Sequence, residues 1–183
     1  MKVLLFEGID KVGKTTTIKT LNKSLKEKGY KVMILNVPFS CNNALNVEQS
    51  ALRLRMTLDN LLNMNKQFGD DYVCLIDRLH ISERVYGEVL RDGCFDNFRC
   101  NSCDYWISTI DTTLIHVKPI NVLHNFTKFK DENNLIDGLT YSQYLGTYQA
   151  FVREVQESLI HKKIDLTTVE LNENEIEKFL GGI

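Results

Sequence analysis

An eight-residue segment, Gly8-Ile-Asp-Lys-Val-Gly13-Lys14-Thr15, restricts the fold of this chain more than any other feature. The apolar run at residues 2–7 precedes it, and Ile18, Leu21 and Leu25 recur at helical spacing after it. The segment therefore predicts a strand, a tight glycine turn and a helix. Glycines let successive backbone N–H groups point inward, and the N-terminus of the helix adds a partial positive charge. This combination is typical of a loop that binds phosphate.

Each part of the loop has an expected role. The residues expected to surround the phosphates of a nucleotide are Gly8, Asp10, Lys11, Val12, Gly13, Lys14, Thr15 and Thr16. Lys14, which the sequence predicts to face solvent, would contact the outer phosphates, and Thr15 would bind Mg²⁺. The expected cofactor is therefore Mg²⁺, with ATP as the phosphoryl donor.

Magnesium needs further oxygen ligands, so we expect an acidic residue at the end of another parallel strand. Asp77 meets this requirement, because it follows the buried run at residues 73–76. Arg78, beside it, offers a guanidinium group to a phosphoryl group during transfer. The second half of the predicted site is therefore Asp77 and Arg78.

Apolar runs alternate with helical patterns along the rest of the chain. Strands are predicted at residues 2–7, 31–36, 72–76, 113–117 and 166–171, and helices from residue 14 to a stop at Gly29 and at residues 47–66, 81–90, 141–160 and 173–180. Alternation of this kind favours parallel strands with helices on both faces. The predicted fold class is α/β, a three-layer α/β/α sandwich with a five-stranded parallel sheet. We expect residues 1–183 to form one domain, with the polar segment 126–138 as a mobile lid over the site.

Composition excludes several classes of protein. With 43% hydrophobic and 25% charged residues, the chain has the balance of a globular protein with a core. A formal net charge of −2 provides no positive field for a nucleic-acid polymer or an anionic membrane, so neither is an expected partner. Glu7 interrupts the first apolar run too early for a signal-peptide core. We expect a cytoplasmic protein, or one in the host cytoplasm if a phage encodes it.

The cysteines predict free thiols. There are five of them, an odd number, and a secretory signal is not evident, so a disulfide framework is not expected. Cys100 and Cys103, with Cys94 nearby, have a spacing that suits zinc. A second pair is missing, however, and His80 would have to complete the site from a helix. We therefore do not expect zinc.

The two motifs identify a class of enzyme and resemble one family. A guanine-reading Asn-Lys-x-Asp segment does not follow the fourth predicted strand, which favours a small-molecule kinase over a GTPase. The segment Phe6-Glu-Gly-Ile-Asp-Lys-Val-Gly-Lys-Thr-Thr16 resembles the phosphate loop of thymidylate kinases, which carry Phe-Glu-Gly-x-Asp before Gly-Lys. Their second motif, Asp-Arg-Tyr-x-x-Ser-x-x-Ala-Tyr, is matched at Asp77, Arg78, Ser82 and Tyr86.

The resemblance implies roles for individual residues. Asp10 would reach the sugar 3'-hydroxyl of the acceptor nucleotide, and Lys11 takes the place of a loop arginine that stabilises the moving phosphoryl group in some members. Arg78 would hold the acceptor phosphate. Tyr86 would press on the sugar edge, although a tyrosine of the core is an equal reading at that position. The expected catalytic residues are Lys14, Lys11 and Arg78, and the expected acceptor-binding residues are Asp10, Phe39, Arg55, Arg78, Ser82 and Tyr86.

The chain also departs from the family pattern. The family's thymine reader is an aromatic residue with an arginine four positions later. Arg53 and Arg55 lie on the corresponding helix, but Gln49 and Ala51 stand four residues before them. The lid offers lysines at positions 128 and 130 and no arginine. The acceptor base therefore stays open among thymine, a modified pyrimidine and another base.

These features predict a deoxynucleoside monophosphate kinase that transfers the γ-phosphoryl group of ATP to dTMP or a related pyrimidine deoxynucleotide. The first alternative is a deoxynucleoside kinase that phosphorylates a 5'-hydroxyl with Glu7 as general base. The second is a nucleotide-binding regulatory module without turnover, in which Asp77 and Arg78 would be dispensable. The resemblance also suggests a homodimer.

Overall fold

A computed structural model describes residues 1–37, 47–131 and 139–167 of the chain, without the side chains of residues 129–131. The strands are β1 (Lys2–Glu7), β2 (Lys31–Asn36), β3 (Tyr72–Asp77), β4 (Thr112–Lys118) and β5 (Lys162–Thr167). The helices are α1 (Lys14–Glu27), α2 (Val47–Gln67), α3 (His80–Leu90), α4 (Asn97–Ser108), α5 (Val122–Asp131) and α6 (Tyr141–Glu157). Along the described residues, one or two helices therefore separate each strand from the next.

The five strands form one parallel sheet in the order β2-β3-β1-β4-β5, which confirms the predicted α/β fold. Every residue of β1 is buried, so both faces at the centre of the sheet are covered. The register pairs Phe6 with Asp77 and Glu7 with His116. The carboxyl ends of β1 and β3 therefore lie side by side, and the two sequence motifs meet at that edge.

Helix α1 buries the face that its apolar spacing predicts. Ile18, Leu21 and Leu25 of α1 are buried, and the chain leaves this helix at Gly29, whose φ of 91° suits glycine. On α6, the side chains of Tyr144 and Phe151 are fully buried. None of the described helices is both long and apolar enough to cross a membrane.

Three elements differ from the sequence prediction. The predicted strand at 166–171 is wrong at its start, since the edge strand β5 begins at Lys162. Most residues of β5 are exposed and polar, so its first residues show no apolar run in the sequence. Helix α4 was not predicted, since it exposes Phe98, Tyr105 and Trp106 while it buries cysteines, and so it has no apolar stripe. The predicted lid begins inside α5. Residues 132–138 of the lid and the predicted helix at 173–180 lie outside the described residues.

Candidate active site

The phosphate loop joins β1 to α1 through three residues with positive φ. These are Gly8 at 144°, Lys11 at 63° and Gly13 at 92°. A Cβ atom placed on Gly8 would lie 2.3 Å from the carbonyl oxygen of Val117 on β4, a distance that no real side chain tolerates. Gly8 is therefore required both by its backbone conformation and by the close approach of the neighbouring strand.

The side chain of Lys14 lies inside this loop. Its Nζ donates to the carbonyl oxygens of Gly8 and Ile9 at 2.7 Å each. The residue is only 5% exposed, so the prediction that Lys14 faces solvent is wrong, because the loop carbonyls surround the ammonium group. Burial, together with the charge of Arg78, lowers the pKa of Lys14 to about 7. The loop thus holds a buried amino group at the place where phosphate oxygens would enter, and the negative charge of a phosphate would favour its protonated form.

Thr15 and Asp77 form the predicted pair of magnesium ligands. The Thr15 hydroxyl donates to Oδ2 of Asp77 at 3.1 Å, across the gap between α1 and β3. The other carboxylate oxygen, Oδ1, is buried and has no hydrogen-bond partner among the described residues. A hydroxyl beside an unpartnered carboxylate oxygen suits Mg²⁺, which prefers oxygen ligands and keeps water and substrate phosphates in its remaining positions. The residues present therefore fit the ion.

Arg78 is the centre of a hydrogen-bond network at the mouth of the loop. Its Nη1 donates to the Ser82 hydroxyl at 3.2 Å, to the Tyr86 hydroxyl at 3.1 Å and to the Gly8 carbonyl oxygen at 3.4 Å. Its Nη2 forms a salt bridge with Asp10. The structure thus brings together five residues from the two motifs, although 68 positions separate Asp10 from Arg78.

Tyr86 is a core tyrosine, which was one of the two interpretations of the sequence, and its contact with the acceptor sugar stays a prediction. It is 2% exposed, and its ring meets that of Phe151 edge to face at 5.5 Å, as expected of a core residue. Its hydroxyl nevertheless reaches the Arg78 guanidinium at the site. The body of the side chain therefore belongs to the core and its polar end to the site.

Glu7 lies just before the loop and is fully buried. Its Oε1 accepts a hydrogen bond from the backbone N–H of Leu79 at 2.8 Å, and its Oε2 accepts one from the Ser82 hydroxyl. Both carboxylate oxygens therefore bind the start of α3. This arrangement bears on the alternative in which Glu7 acts as a general base.

Comparison with known proteins agrees with this arrangement. The thymidylate kinase family model matches residues 6–94, a span that contains both the phosphate loop and the Asp77–Arg78 segment. Residues 6–94, just under half of the chain, are thymidylate kinase-like. The family resemblance inferred from the two motifs is thereby confirmed.

Two thymidylate kinases from bacteria illustrate the extent of the similarity. The protein of Caldicellulosiruptor saccharolyticus is 29% identical over 111 residues, which cover 52% of this chain and 54% of that protein. The protein of Thermosipho africanus is 32% identical over 105 residues, which cover 56% of this chain and 49% of that protein. The chain therefore spans about half the length of the curated relatives it matches.

A solved structure shows the same fold over nearly the whole chain. The YorR protein of Bacillus subtilis, crystallised in complex with phosphorylated GDP, superposes with a TM-score of 0.67. The match covers 99% of this chain and 94% of YorR at 16% sequence identity. At this identity the likeness supports the fold alone.

Arg55, one of the predicted acceptor-binding residues, lies away from the network around Arg78. Arg55 lies on α2, where its Nε is 3.7 Å from Oδ2 of Asp59. It lines a groove of about 800 Å³ between α2 and α4. The described lining of this groove includes no residue of the phosphate loop. Lys11 is exposed on the loop itself. Phe39 lies outside the described residues, so its role stays a prediction.

The structure adds two polar residues that the sequence prediction missed. Asn125 of α5 donates to the carbonyl oxygen of Asp10 at 3.4 Å and also to the hydroxyl of Tyr144 on α6. The helix α5, inside which the predicted lid begins, is therefore in contact with the phosphate loop. The sequence carried little signal for this contact, because a lone asparagine in a polar segment resembles any surface residue.

The three cysteines whose spacing suits zinc differ in burial. Cys100 and Cys103 are buried on α4, whereas Cys94 is exposed. Within the described residues, no three His, Cys, Asp or Glu side chains gather as a metal site. Burial raises the pKa of the Cys100 thiol to about 12, which makes it a poor ligand and a poor nucleophile at neutral pH.

Proposed function

We propose that this protein is an ATP-dependent deoxynucleoside monophosphate kinase, and that it transfers the γ-phosphoryl group of ATP to dTMP or a related pyrimidine deoxynucleotide. The observation that carries this proposal is the pairing of Arg78 with Asp10 at the mouth of a phosphate loop. A guanidinium group suits the acceptor phosphate, and a carboxylate beside it suits the sugar hydroxyl. The family similarity of residues 6–94 supports the same activity.

The donor nucleotide would bind in the loop around Lys14. The ammonium group already lies among the carbonyl oxygens of Gly8 and Ile9, and it would exchange these for the outer phosphates. Thr15 and Asp77 would hold Mg²⁺, which neutralises the charge that develops on the donor phosphates. Lys11, exposed on the same loop, would approach the moving phosphoryl group from outside.

The acceptor would bind on the side of Arg78. Its guanidinium group would move from Asp10 to the acceptor phosphate, and Asp10 would then accept the sugar 3'-hydroxyl. A nucleoside monophosphate has a second phosphate pKa of about 6, so its attacking oxygen is already ionised at neutral pH and needs no general base. The chemistry therefore depends on cations that hold and neutralise phosphate, and this chain supplies Lys14 and Arg78.

The deoxynucleoside kinase alternative requires a base with an oxygen free to receive the proton of a 5'-hydroxyl. Glu7 is the candidate, but both of its oxygens accept hydrogen bonds from α3 and the residue has no exposed surface. The monophosphate acceptor is therefore the better-supported substrate.

A substrate panel tests the proposal. Purified protein with ATP and Mg²⁺ is offered the four common deoxynucleoside monophosphates, the matching ribonucleotides and the unphosphorylated nucleosides, and ADP release is measured. GMP and dGMP belong in the panel because YorR was crystallised with phosphorylated GDP. We expect turnover with a pyrimidine deoxynucleoside monophosphate and none with nucleosides. Turnover of thymidine at the rate of dTMP would refute the proposal, and ATP binding without turnover would favour the regulatory module.

Two further expectations accompany this function. We expect a homodimer, which light scattering after size-exclusion chromatography would report as a mass of about twice 21.1 kDa. We also expect the protein to act in the cytoplasm, where ATP and the nucleotide substrates are available. Both stay predictions.

A further inference from the structure

The backbone at Arg78 adopts a conformation that only its surroundings can maintain. Its φ is 72°, in the left-handed region that residues other than glycine rarely occupy. Its N–H donates to the carbonyl oxygen of Phe6 at 3.0 Å, which ties the turn to the end of β1. A long side chain on such a turn is aimed correctly only if the residues that follow it are also held.

Glu7 holds those residues. It ends β1, and its buried carboxylate spans the gap to α3, where it binds the N–H of Leu79 and the hydroxyl of Ser82. A negative charge at this position also stabilises the N-terminus of α3, where backbone N–H groups point outward. Glu7 therefore anchors the first turn of the helix that follows Arg78.

Ser82 links Glu7 to the Arg78 side chain through hydrogen bonds to both. A serine hydroxyl has one proton to donate and two lone pairs that accept. Because a carboxylate only accepts, the Ser82 proton points toward Glu7, and the Ser82 oxygen then accepts from Nη1 of Arg78 at 3.2 Å. The direction of the Ser82 hydroxyl is thus set by Glu7, and it fixes one side of the guanidinium group.

We infer that Glu7 and Ser82 are positioning residues that aim Arg78 at the acceptor phosphate and do not themselves contact the nucleotide. This inference rests on the proposed kinase function. It changes the expected role of Ser82, which the family resemblance placed among the acceptor-binding residues. Ser82 and Glu7 each have no exposed surface, and their polar atoms are engaged with each other, with Leu79 and with Arg78.

The chain contains a matched control for the contacts that link Glu7, Ser82 and Arg78. Asp104 on α4 is also a buried carboxylate that accepts one serine hydroxyl, from Ser158 at 2.6 Å, and one backbone N–H, from Leu159 at 2.8 Å. It differs from Glu7 in accepting a third bond, from Nε2 of His80 at 2.9 Å, which neither serine variant removes. The Ser158 oxygen, however, accepts from the N–H of Ile160 and not from an arginine. Ser82→Ala and Ser158→Ala therefore remove the same kind of bond, and only the first removes a contact with Arg78.

The experiment compares these two variants in full-length protein. We expect Ser82→Ala to raise the KM for the deoxynucleoside monophosphate about tenfold, the effect of losing one hydrogen bond to a charged group, and to leave the KM for ATP within about twofold. Ser158→Ala should leave both KM values within about twofold. Equal acceptor KM values for the two variants would overturn the inference.

Glu7→Gln separates positioning from base catalysis. The amide still accepts the Leu79 N–H, so a positioning role predicts a rise of a few fold in the acceptor KM and little change in kcat. A general base predicts a fall in kcat of about 100-fold with the acceptor KM unchanged, and this result would overturn the inference. The pH profile of kcat, which a positioning role leaves unchanged, provides the second reading.

A spectroscopic measurement keeps the two proposals distinguishable. The side-chain N–H signals of Arg78 are assigned by NMR from their loss in Arg78→Lys and followed in the serine variants. We expect Ser82→Ala to shift these signals and Ser158→Ala to leave them in place. Unchanged Arg78 signals in Ser82→Ala would overturn the positioning role even if the wild-type protein is a kinase. If Ser82→Ala shifts the Arg78 signals but the wild-type protein phosphorylates no deoxynucleotide, only the proposed function is refuted.

Discussion

The substitution Gly8→Ala should disrupt the site through one steric contact. The new Cβ would lie 2.3 Å from the Val117 carbonyl oxygen and 3.3 Å from its carbon, and the backbone would keep a φ of 144° that alanine does not adopt. Backbone atoms cannot rotate away as a side chain can, so β1 and β4 must separate at the loop. We expect a loss of about 3 kcal/mol or more in the free energy of unfolding, from strain and overlap together.

Gly29→Ala is the matched control for this substitution. Gly29 also has a positive φ, of 91°, but a Cβ there would meet nothing within 4 Å. The control therefore measures the strain of the conformation alone, about 1 kcal/mol. For a chain of this size 1 kcal/mol corresponds to a change in Tm of about 2–4 °C, so we expect a loss in that range for Gly29→Ala and of about 10 °C for Gly8→Ala.

Thermal unfolding followed by circular dichroism gives both Tm values. Binding of a fluorescent ATP analogue, measured well below both transitions, tests the link to function. Gly8→Ala should weaken this binding at least about tenfold, because displacement of the loop by about 1 Å spoils the phosphate geometry, while Gly29→Ala should leave it unchanged. Equal losses of Tm in the two variants would refute the argument that contact with β4 makes Gly8 necessary.

Further predictions concern the charged residues. Lys14→Ala should lower turnover about 100-fold or more and leave the protein folded, because it removes a buried charge aimed at phosphate; near-normal turnover would refute the assignment of the loop. Asp77→Asn should raise the Mg²⁺ concentration needed for half-maximal activity, and an unchanged magnesium titration would make Asp77 a structural residue. Burial alone would raise the pKa of Asp104, but hydrogen bonds from His80 and others lower it to about 2. The stability that ionised Asp104 contributes should be present above about pH 4 and lost as the pH falls through 2, so the Tm difference between wild type and Asp104→Asn should shrink over that window. A constant difference would contradict this assignment.

The sequence predicted most of the elements because their signals are local. Residues 31–36 and 72–76 are short apolar runs, and their strands lie where those runs are. Elements with mixed surfaces were less predictable. The edge strand β5 carries the exposed Lys162 and Lys163, and α4 exposes three aromatic residues, so neither shows the periodicity that pattern analysis depends on.

Some features of the candidate site were also predictable from local sequence, and others were not. The residue types of the phosphate loop and of the Asp77–Arg78 segment were readable, since glycine spacing and strand ends have local causes. The burial of Lys14 was not, because it depends on loop carbonyls that curl around the ammonium group only in the folded chain. The contact of Asn125 with the loop depends on how α5 packs and left no pattern in the sequence.

The sequence by itself determined that a phosphate loop follows the first strand and that an acid and an arginine end the third. Only the tertiary structure decided how these segments meet. Parallel pairing in which Phe6 lies opposite Asp77 places Glu7 against α3 and Arg78 against Asp10. The sequence left open whether Glu7 is a base or an anchor, because both roles need a carboxylate after β1. The roles differ in whether the Glu7 oxygens are already occupied by hydrogen bonds. The packing of β1 against α3, more than 70 residues away, supplies the donors, the Leu79 N–H and the Ser82 hydroxyl.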